Sequence, residues 1–148
     1  MGNYRKGVGV ILTNGKGQFY TFKRVDFPDS WQGVEGGIDE GEDVEKAVYR
    51  EIQEEIGIQQ TDLLYMTQTD WYKYDFPTER DGVKFDGAEK KYFLIKLITK
   101  ESKLLVNTSA EKEFTEWKLV DKNELIESVP PFKKEVYRQV MDDFEDFI

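Results

Sequence analysis

The sequence predicts a mixed α/β or α+β domain, and three observations lead there. Runs of alternating or β-rich residues recur through the first 120 positions. One amphipathic helical pattern interrupts them near residue 50, and a second closes the chain. The length of 148 residues suits one domain, here taken as 1–148, since domains most often run to roughly 100–150 residues.

The elements follow in order. Val8, Val10 and Leu12 alternate with Gly9, Ile11 and Thr13, which reads as a strand. Asn14-Gly15-Lys16-Gly17 is a turn signal, and Gln18 to Arg24 resumes as the second arm of a hairpin. Phe27-Pro28-Asp29-Ser30 breaks the pattern, Trp31 to Val34 forms a short strand, and Gly36-Gly37 ends it. A helix is expected from about Asp43 to Ile56, with Gly57 where a helix C-terminal glycine belongs. Leu63 to Tyr74 reads as a strand weakened by Thr67 to Asp70. Asp75 to Glu89 reads as a long polar loop with Pro77, Gly82 and Gly87. Lys91 to Thr99 and Phe114 to Val120 are strands, and Lys122 to Glu127 is a short helical turn. The last helix starts at Pro130 or Pro131, the favoured place for proline. Its apolar stripe is Phe132, Val136, Val140, Phe144 and Ile148.

Composition excludes several chemistries. The hydrophobic fraction of 39% supplies material for a core. With 21 basic and 30 acidic residues the net charge is −9, which argues against broad, sequence-independent binding to nucleic acid, a DNA duplex included, while leaving room for a small local basic site. Without cysteine there is no disulfide, thiol nucleophile or cysteine zinc site. Without histidine there is no serine–histidine triad and no imidazole ligand. Acid–base or metal chemistry therefore rests on carboxylates, with Lys or Tyr in reserve. No stretch approaches the ~20 apolar residues of a membrane span, and no signal peptide is visible. The expectation is a cytoplasmic protein. Oligomeric state is not legible.

The informative segment is Gly36 to Ile58. At about 100° per residue, Val44, Ala47, Val48 and Ile52 set the apolar face of the helix. An ordinary solvated helix puts its glutamates on the other face, as Glu45 does. Glu51 and Glu55 instead fall inside the apolar stripe, with Glu54 at its edge. Three carboxylates at i, i+3 and i+4 lie close together. Packed against protein they repel one another and lose solvation. A divalent cation resolves that conflict, and Mg²⁺ prefers oxygen ligands shared with substrate phosphates.

Gly36, Glu42, Arg50, Glu51, Ile52, Glu54, Glu55, Gly57 and Ile58 fill every specified position of Gly-x5-Glu-x7-Arg-Glu-U-x-Glu-Glu-x-Gly-U, where U is aliphatic. This is the box of the Nudix family, and the chain resembles that family. The resemblance implies a mixed β-sheet sandwiched between helices, with the box as a loop–helix–loop. It gives Glu51, Glu54 and Glu55 the role of ligands for Mg²⁺ (or Mn²⁺). It casts one box glutamate, or one on a later loop, as the base that activates water. Arg50 would orient box carboxylates by ion pairing, with Glu42 a partner near the helix start. Gly36 and Gly37 would let the backbone approach the metal and phosphates.

A narrower resemblance, to bacterial RNA pyrophosphohydrolases and plant-type dinucleoside polyphosphate hydrolases, spans nearly the whole chain. It rests on Tyr4-Arg5, Val8-Gly9, Trp31-Gln32, Gly36-Gly37-Ile38 and Tyr49-Arg50-Glu51. It continues through Lys91-Tyr92-Phe93-Leu94, Glu113-Phe114 with Trp117, and Phe132-Lys133 with Val136-Tyr137-Arg138. It implies a further metal ligand at Glu113 and phosphate contacts at Arg5, Lys91 and Lys133. The chain departs from that subgroup at Gly33-Val34-Glu35, where Phe-Pro-Gln is common, and at Ala88, near the place of a Gln.

The activity so implied is metal-dependent hydrolysis of a nucleoside polyphosphate. An RNA 5′-triphosphate would give pyrophosphate and a 5′-monophosphate end. Diadenosine tetraphosphate would give ATP and AMP. Both stay open, with the strand and terminal-helix matches leaning to RNA. Hydrolysis of another nucleoside diphosphate derivative, a non-catalytic nucleotide-binding module, and an acidic protein-interaction face are the alternatives.

Overall fold

The computed structural model describes residues 3–25, 29–77, 85–106 and 114–148. Seven strands form one mixed sheet. They are β1 (Tyr4–Thr13), β2 (Phe19–Arg24), β3 (Trp31–Gln32), β4 (Val34–Gly37), β5 (Leu63–Asp75), β6 (Gly87–Leu97) and β7 (Phe114–Val120). Helix α1 (Val44–Ile56) follows β4, and α2 (Lys122–Ser128) and α3 (Lys134–Asp143) follow β7.

The central path is β3-β2-β1-β6-β5. β1 runs parallel to β6 along its whole length, from Tyr4 opposite Gly87 to Thr13 opposite Lys96. On its other edge β1 pairs first with β4, through Gly7 to Val10, and then with β2, at Leu12 and Thr13. β7 pairs with β2, and β5 closes the sheet beside β6. From Gly7 to Thr13 every residue of β1 is buried, as a central strand covered on both faces must be.

Alternation along the strands sends side chains into two cores. Val8, Val10 and Leu12 of β1 and Phe93 and Ile95 of β6 pack with Ala47, Val48, Ile52 and Ile56 of α1. Ile11, Tyr92 and Leu94 face the other way, onto Val136, Tyr137, Val140 and Met141 of α3. The result is a helix–sheet–helix sandwich, as the Nudix resemblance implied.

Local chemistry sets the helix ends. Gly57 takes φ 70° and its N–H donates to the Gln53 carbonyl, closing α1 in a left-handed cap. Asp121 caps α2 by accepting from the Glu124 N–H at 2.8 Å. Pro130 precedes a 3₁₀ turn over Pro131–Lys133 that leads into α3.

Several features differ from the sequence expectation. A strand does end at Gly36-Gly37, but the two glycines are part of it, the last residues of β4, paired with Val8 and Gly7. The Trp31–Val34 strand is split at Gly33, where a Cβ would lie 2.2 Å from the Val10 carbonyl oxygen. The strand through Thr67 to Asp70 is continuous, and the β-poor residues coincide with register shifts in β5 between Tyr65 and Thr67 and between Gln68 and Trp71. The loop after β5 is shorter than expected, because Gly87 to Glu89 already belong to β6. Of the terminal stripe, Val136, Val140 and Phe144 are buried, whereas Ile148 lies past the end of α3 and is exposed.

Candidate active site

Helix α1 carries the acidic wall of a cleft. Glu51 and Glu55 are buried at 8% and 6% exposure, on the same face as Ala47, Val48 and Ile52. Glu54 is half-exposed beside them. One carboxylate oxygen from each of the three lies within 4.8 Å of the others. Two ionised carboxylates at that separation repel by about 3 kcal/mol at an effective dielectric constant of ~20. Their crowding is what a hard divalent cation with oxygen ligands relieves. The strand beneath is shaped to the same end. A Cβ on Gly36 would sit 2.0 Å from the Glu51 carboxyl carbon, so only glycine lets Glu51 lie flat on β4. These residues fit a divalent cation.

Arg50 braces the wall from behind. Its Nε and Nη2 donate to the two oxygens of Glu42 at 2.7 and 2.9 Å. Nη1 donates to Glu51 at 2.9 Å and to Glu54 at 3.3 Å. Nη2 also reaches the Gly37 carbonyl at 2.9 Å. The hydrogen bonds that Glu42 accepts from Arg50, with the one from the Asp39 N–H, hold its carboxyl down at about 2. Arg50 is itself shifted upward, chiefly by its bond to Glu42. The fork geometry of the guanidinium suits this work, since it fixes carboxylates in direction as well as in charge.

The cleft has a volume of about 410 Å³. Its opposite wall is cationic and aromatic. Arg5, Lys6, Arg24, Lys90 and Lys133 line it together with Tyr74, Phe76 and Phe132. The three rings pack mutually at centroid distances of 5.9 to 6.4 Å. Arg5 lies flat against Gly37, where a Cβ would be 2.3 Å from the guanidinium.

At the base of this wall sits Glu35, 2% exposed at its side chain. Its Oε1 accepts from Lys90 at 2.6 Å and Lys133 at 3.3 Å. Its Oε2 accepts from the Tyr137 hydroxyl at 2.6 Å. Burial opposes ionisation of Glu35, but the two ammonium groups win and hold it well below the usual carboxylate range. Lys90 is driven the other way from Lys133. Burial lowers both, but the close carboxylate leaves Lys90 raised. Lys133 is pulled down to about 7 by burial, against Glu35, with Lys90 and Arg24 adding to the fall.

Glu51, Glu54, Glu55, Gly36, Gly37, Arg5 and Lys133, all singled out from the sequence, therefore border one cleft. Lys91 does not. Alternation in β6 points Lys90 into the cleft and turns Lys91 away, its ammonium 5.7 Å from the Trp71 ring. Of the two neighbours it is Lys90, and not the Lys91 singled out from the sequence, that borders the cleft. Glu113 lies outside the described residues. The sequence reading missed Lys90, Arg24, Tyr74 and the role of Glu35. A signal existed for Lys90, which shares the phase of Ala88, Tyr92 and Leu94. None existed for the convergence of Glu35 with residues about one hundred positions away.

Among the described residues no helix is long and apolar enough to cross a membrane.

Comparison with known proteins agrees with this arrangement. The model of the NUDIX domain matches residues 3–143. The RNA pyrophosphohydrolase of Rhodospirillum rubrum is 39% identical over 148 residues, covering 97% of this chain and 88% of that protein. Nudix hydrolase 26, chloroplastic, of Arabidopsis thaliana is also 39% identical, over 95% of this chain and 69% of its own. Among solved structures, the E. coli dihydroneopterin triphosphate pyrophosphohydrolase superposes with a TM-score of 0.74 at 19% identity, covering 95% of this chain and 99% of that one. A C. elegans Ap4A hydrolase superposes with a TM-score of 0.68 at 22% identity, over 97% of this chain and 99% of that one. At such identities the structural likeness speaks for the fold alone. With its box complete in sequence and the box residues Gly36, Glu51, Glu54 and Glu55 on one cleft, the chain belongs to the NUDIX domain family.

Proposed function

We propose that this Nudix hydrolase is a divalent-metal-dependent pyrophosphohydrolase of nucleoside polyphosphates, with Mg²⁺ or Mn²⁺ as cofactor and the triphosphorylated 5′ end of RNA as its preferred substrate. The observation that carries the reading is the set of three glutamate oxygens within 4.8 Å of one another, facing a cationic wall across one cleft. The choice of RNA is supported by the near-full-length similarity to proteins named RNA pyrophosphohydrolase. A cytoplasmic location is compatible with that substrate.

Glu51, Glu54 and Glu55 would hold the metal, with Gly36 beneath them keeping the backbone close. The bound metal would neutralise phosphate oxygens and lower the pKa of water. The chain's own residues do the rest. Arg50 fixes Glu51 and Glu54 in direction, so that little reorganisation remains at the moment of reaction. Glu54, half-exposed, is the metal-facing glutamate most open to solvent water, and it would take the proton from the attacking water. Arg5, Lys90 and Lys133 balance charge along the rest of the polyphosphate chain. The described cleft residues include five basic side chains (Arg5, Lys6, Arg24, Lys90, Lys133) and four carboxylates (Glu35, Glu51, Glu54, Glu55), so the cleft does not share the chain's excess of acid. An anionic substrate meets a locally balanced surface, to which the metal adds positive charge.

The test is a side-by-side turnover assay with Mg²⁺ on 5′-triphosphorylated RNA and on diadenosine tetraphosphate, with Glu51→Gln as control. The expected result is faster release of pyrophosphate from RNA, and a loss of turnover on the order of 10³-fold in the variant. Faster formation of ATP and AMP would reassign the enzyme to dinucleotides. Full activity in Glu51→Gln would remove Glu51 from the site.

A further inference from the structure

The Gly33-Val34-Glu35 segment does three jobs in a row. Gly33 allows β1 to pass close, Val34 enters the core under α1, and Glu35 points to the opposite face. There it meets residues from β6, the turn before α3, and α3 itself.

We propose that Glu35 is a positioning residue that holds the side-chain amino groups of Lys90 and Lys133 on the cleft floor for contact with the phosphates of the substrate. This rests on the polyphosphate reading above. Several observations support it. Lys133 is buried, yet it lines the cleft. Among the described residues it spends two of its three N–H donors, on Gln32 at 2.8 Å and on Glu35 at 3.3 Å. Lys90 reaches the same Glu35 oxygen from β6 at 2.6 Å. The other oxygen is fixed by the Tyr137 hydroxyl, which in turn accepts from the Gly33 N–H at 3.1 Å. The carboxylate is thus clamped on one side and grips two lysines on the other. Lysine stems are long and their rotamer freedom is large. An ammonium with a fixed counter-ion meets a phosphate in place, without first being ordered.

Removing one negative charge raises the net charge of the floor, which by itself would tighten phosphate binding. Burial decides against that outcome. Two ammonium groups without a carboxylate would not both stay charged in a site this dry; one would lose its proton or swing out to water.

The experiment compares wild type, Glu35→Gln and Glu35→Asp on 5′-triphosphorylated RNA and diadenosine tetraphosphate with Mg²⁺, together with thermal unfolding. Glu35→Gln keeps the shape and removes the charge. It is expected to raise KM roughly tenfold, the size of one lost charge-assisted hydrogen bond, with kcat within about threefold. Glu35→Asp keeps the charge with a shorter reach and is expected to raise KM only about threefold. An unchanged or lower KM in Glu35→Gln, even with a lower Tm, overturns the proposal, since Glu35 would then serve the fold alone. A fall in kcat with KM unchanged overturns it as well. Should Glu35→Gln fail to fold, Glu35→Asp decides: a raised KM with kcat retained supports the proposal, and an unchanged KM overturns it. A wild type that hydrolyses neither substrate overturns the functional reading and this inference with it, whereas wild-type turnover with an unmoved KM in both variants overturns the inference alone.

Discussion

The two walls of the cleft are built in opposite ways. The acidic wall comes from one short stretch of a single helix, Glu51 to Glu55, braced by Arg50 next door and Glu42 just upstream. Its geometry is that of the helix, and its charges need a cation to be at ease. The basic wall is gathered from β1, β2, β6 and the start of α3 around a carboxylate on β4, with Glu35 and Lys133 separated by 98 residues in sequence. Its two buried lysines, Lys90 and Lys133, already share a counter-ion in Glu35. The first wall is locally specified and crowds three carboxylates together. The second is specified by tertiary packing, and its buried core carries its own carboxylate. Damage to the first should therefore appear in chemistry, and damage to the second in stability and substrate affinity.

The largest effect expected from this contrast is at Gly36. Gly36→Ala places a methyl carbon where the Glu51 carboxyl group now lies. The flexible end of Glu51 can move aside, so Tm should change by no more than ~2 °C. The displaced ligand should nonetheless lower kcat roughly 10²-fold, as a misplacement of about 1 Å does elsewhere. A variant that unfolds early but keeps its kcat would break the comparison.

Tyr137→Phe probes the opposite wall. It leaves the Gly33 N–H and one oxygen of Glu35 without a partner in a buried site. The expected loss is about 2–3 kcal/mol, or a fall in Tm of roughly 5–10 °C for a domain of this size. Thermal unfolding reads it directly, and an unchanged Tm would show that the floor is not held by this network.

The Glu42–Arg50 pair gives a pH dependence with a defined sign. The Glu42 carboxyl in the folded state sits at about 2, below the ordinary glutamate value. A depressed carboxylate means that the unfolded chain binds the proton more tightly. The stabilisation is then fully present above the unfolded value of about 4.3 and is lost as pH falls toward 2. Unfolding curves of wild type and Glu42→Gln between about pH 2 and 7 should differ near neutrality and converge at the acid end. A constant difference would deny the ion pair its part.

The smallest effect is expected at Lys91. Lys91→Ala should leave KM within about twofold and stability within roughly 0.5 kcal/mol, as for an ordinary surface substitution. Lys90→Ala should raise KM roughly tenfold through loss of a charged contact. The reverse ranking would place the strand one residue out of phase with the cleft.

Much of the fold and of the acidic wall is legible in the sequence. The Glu51, Glu54 and Glu55 cluster follows from about 100° per residue and the position of Val48 and Ile52. The Gly57 cap and the helical stripe through Val136, Val140 and Phe144 follow from equally short-range rules. Where sequence and structure part, the cause is a neighbour absent from the local sequence. Gly36-Gly37 looks like a break until β1 lies alongside to pair with it. Lys91 looks as good as Lys90 until the register of β6 against β1 fixes which side faces the cleft. The sequence alone determined the helix that concentrates carboxylates, because helix geometry ties side-chain direction to spacing within one turn. The tertiary structure alone decided that Glu35, Lys90, Lys133 and Tyr137 share one buried site. No spacing rule reaches across a hundred residues, and buried charges find their partners only when sheet pairing and helix packing bring them within hydrogen-bond distance.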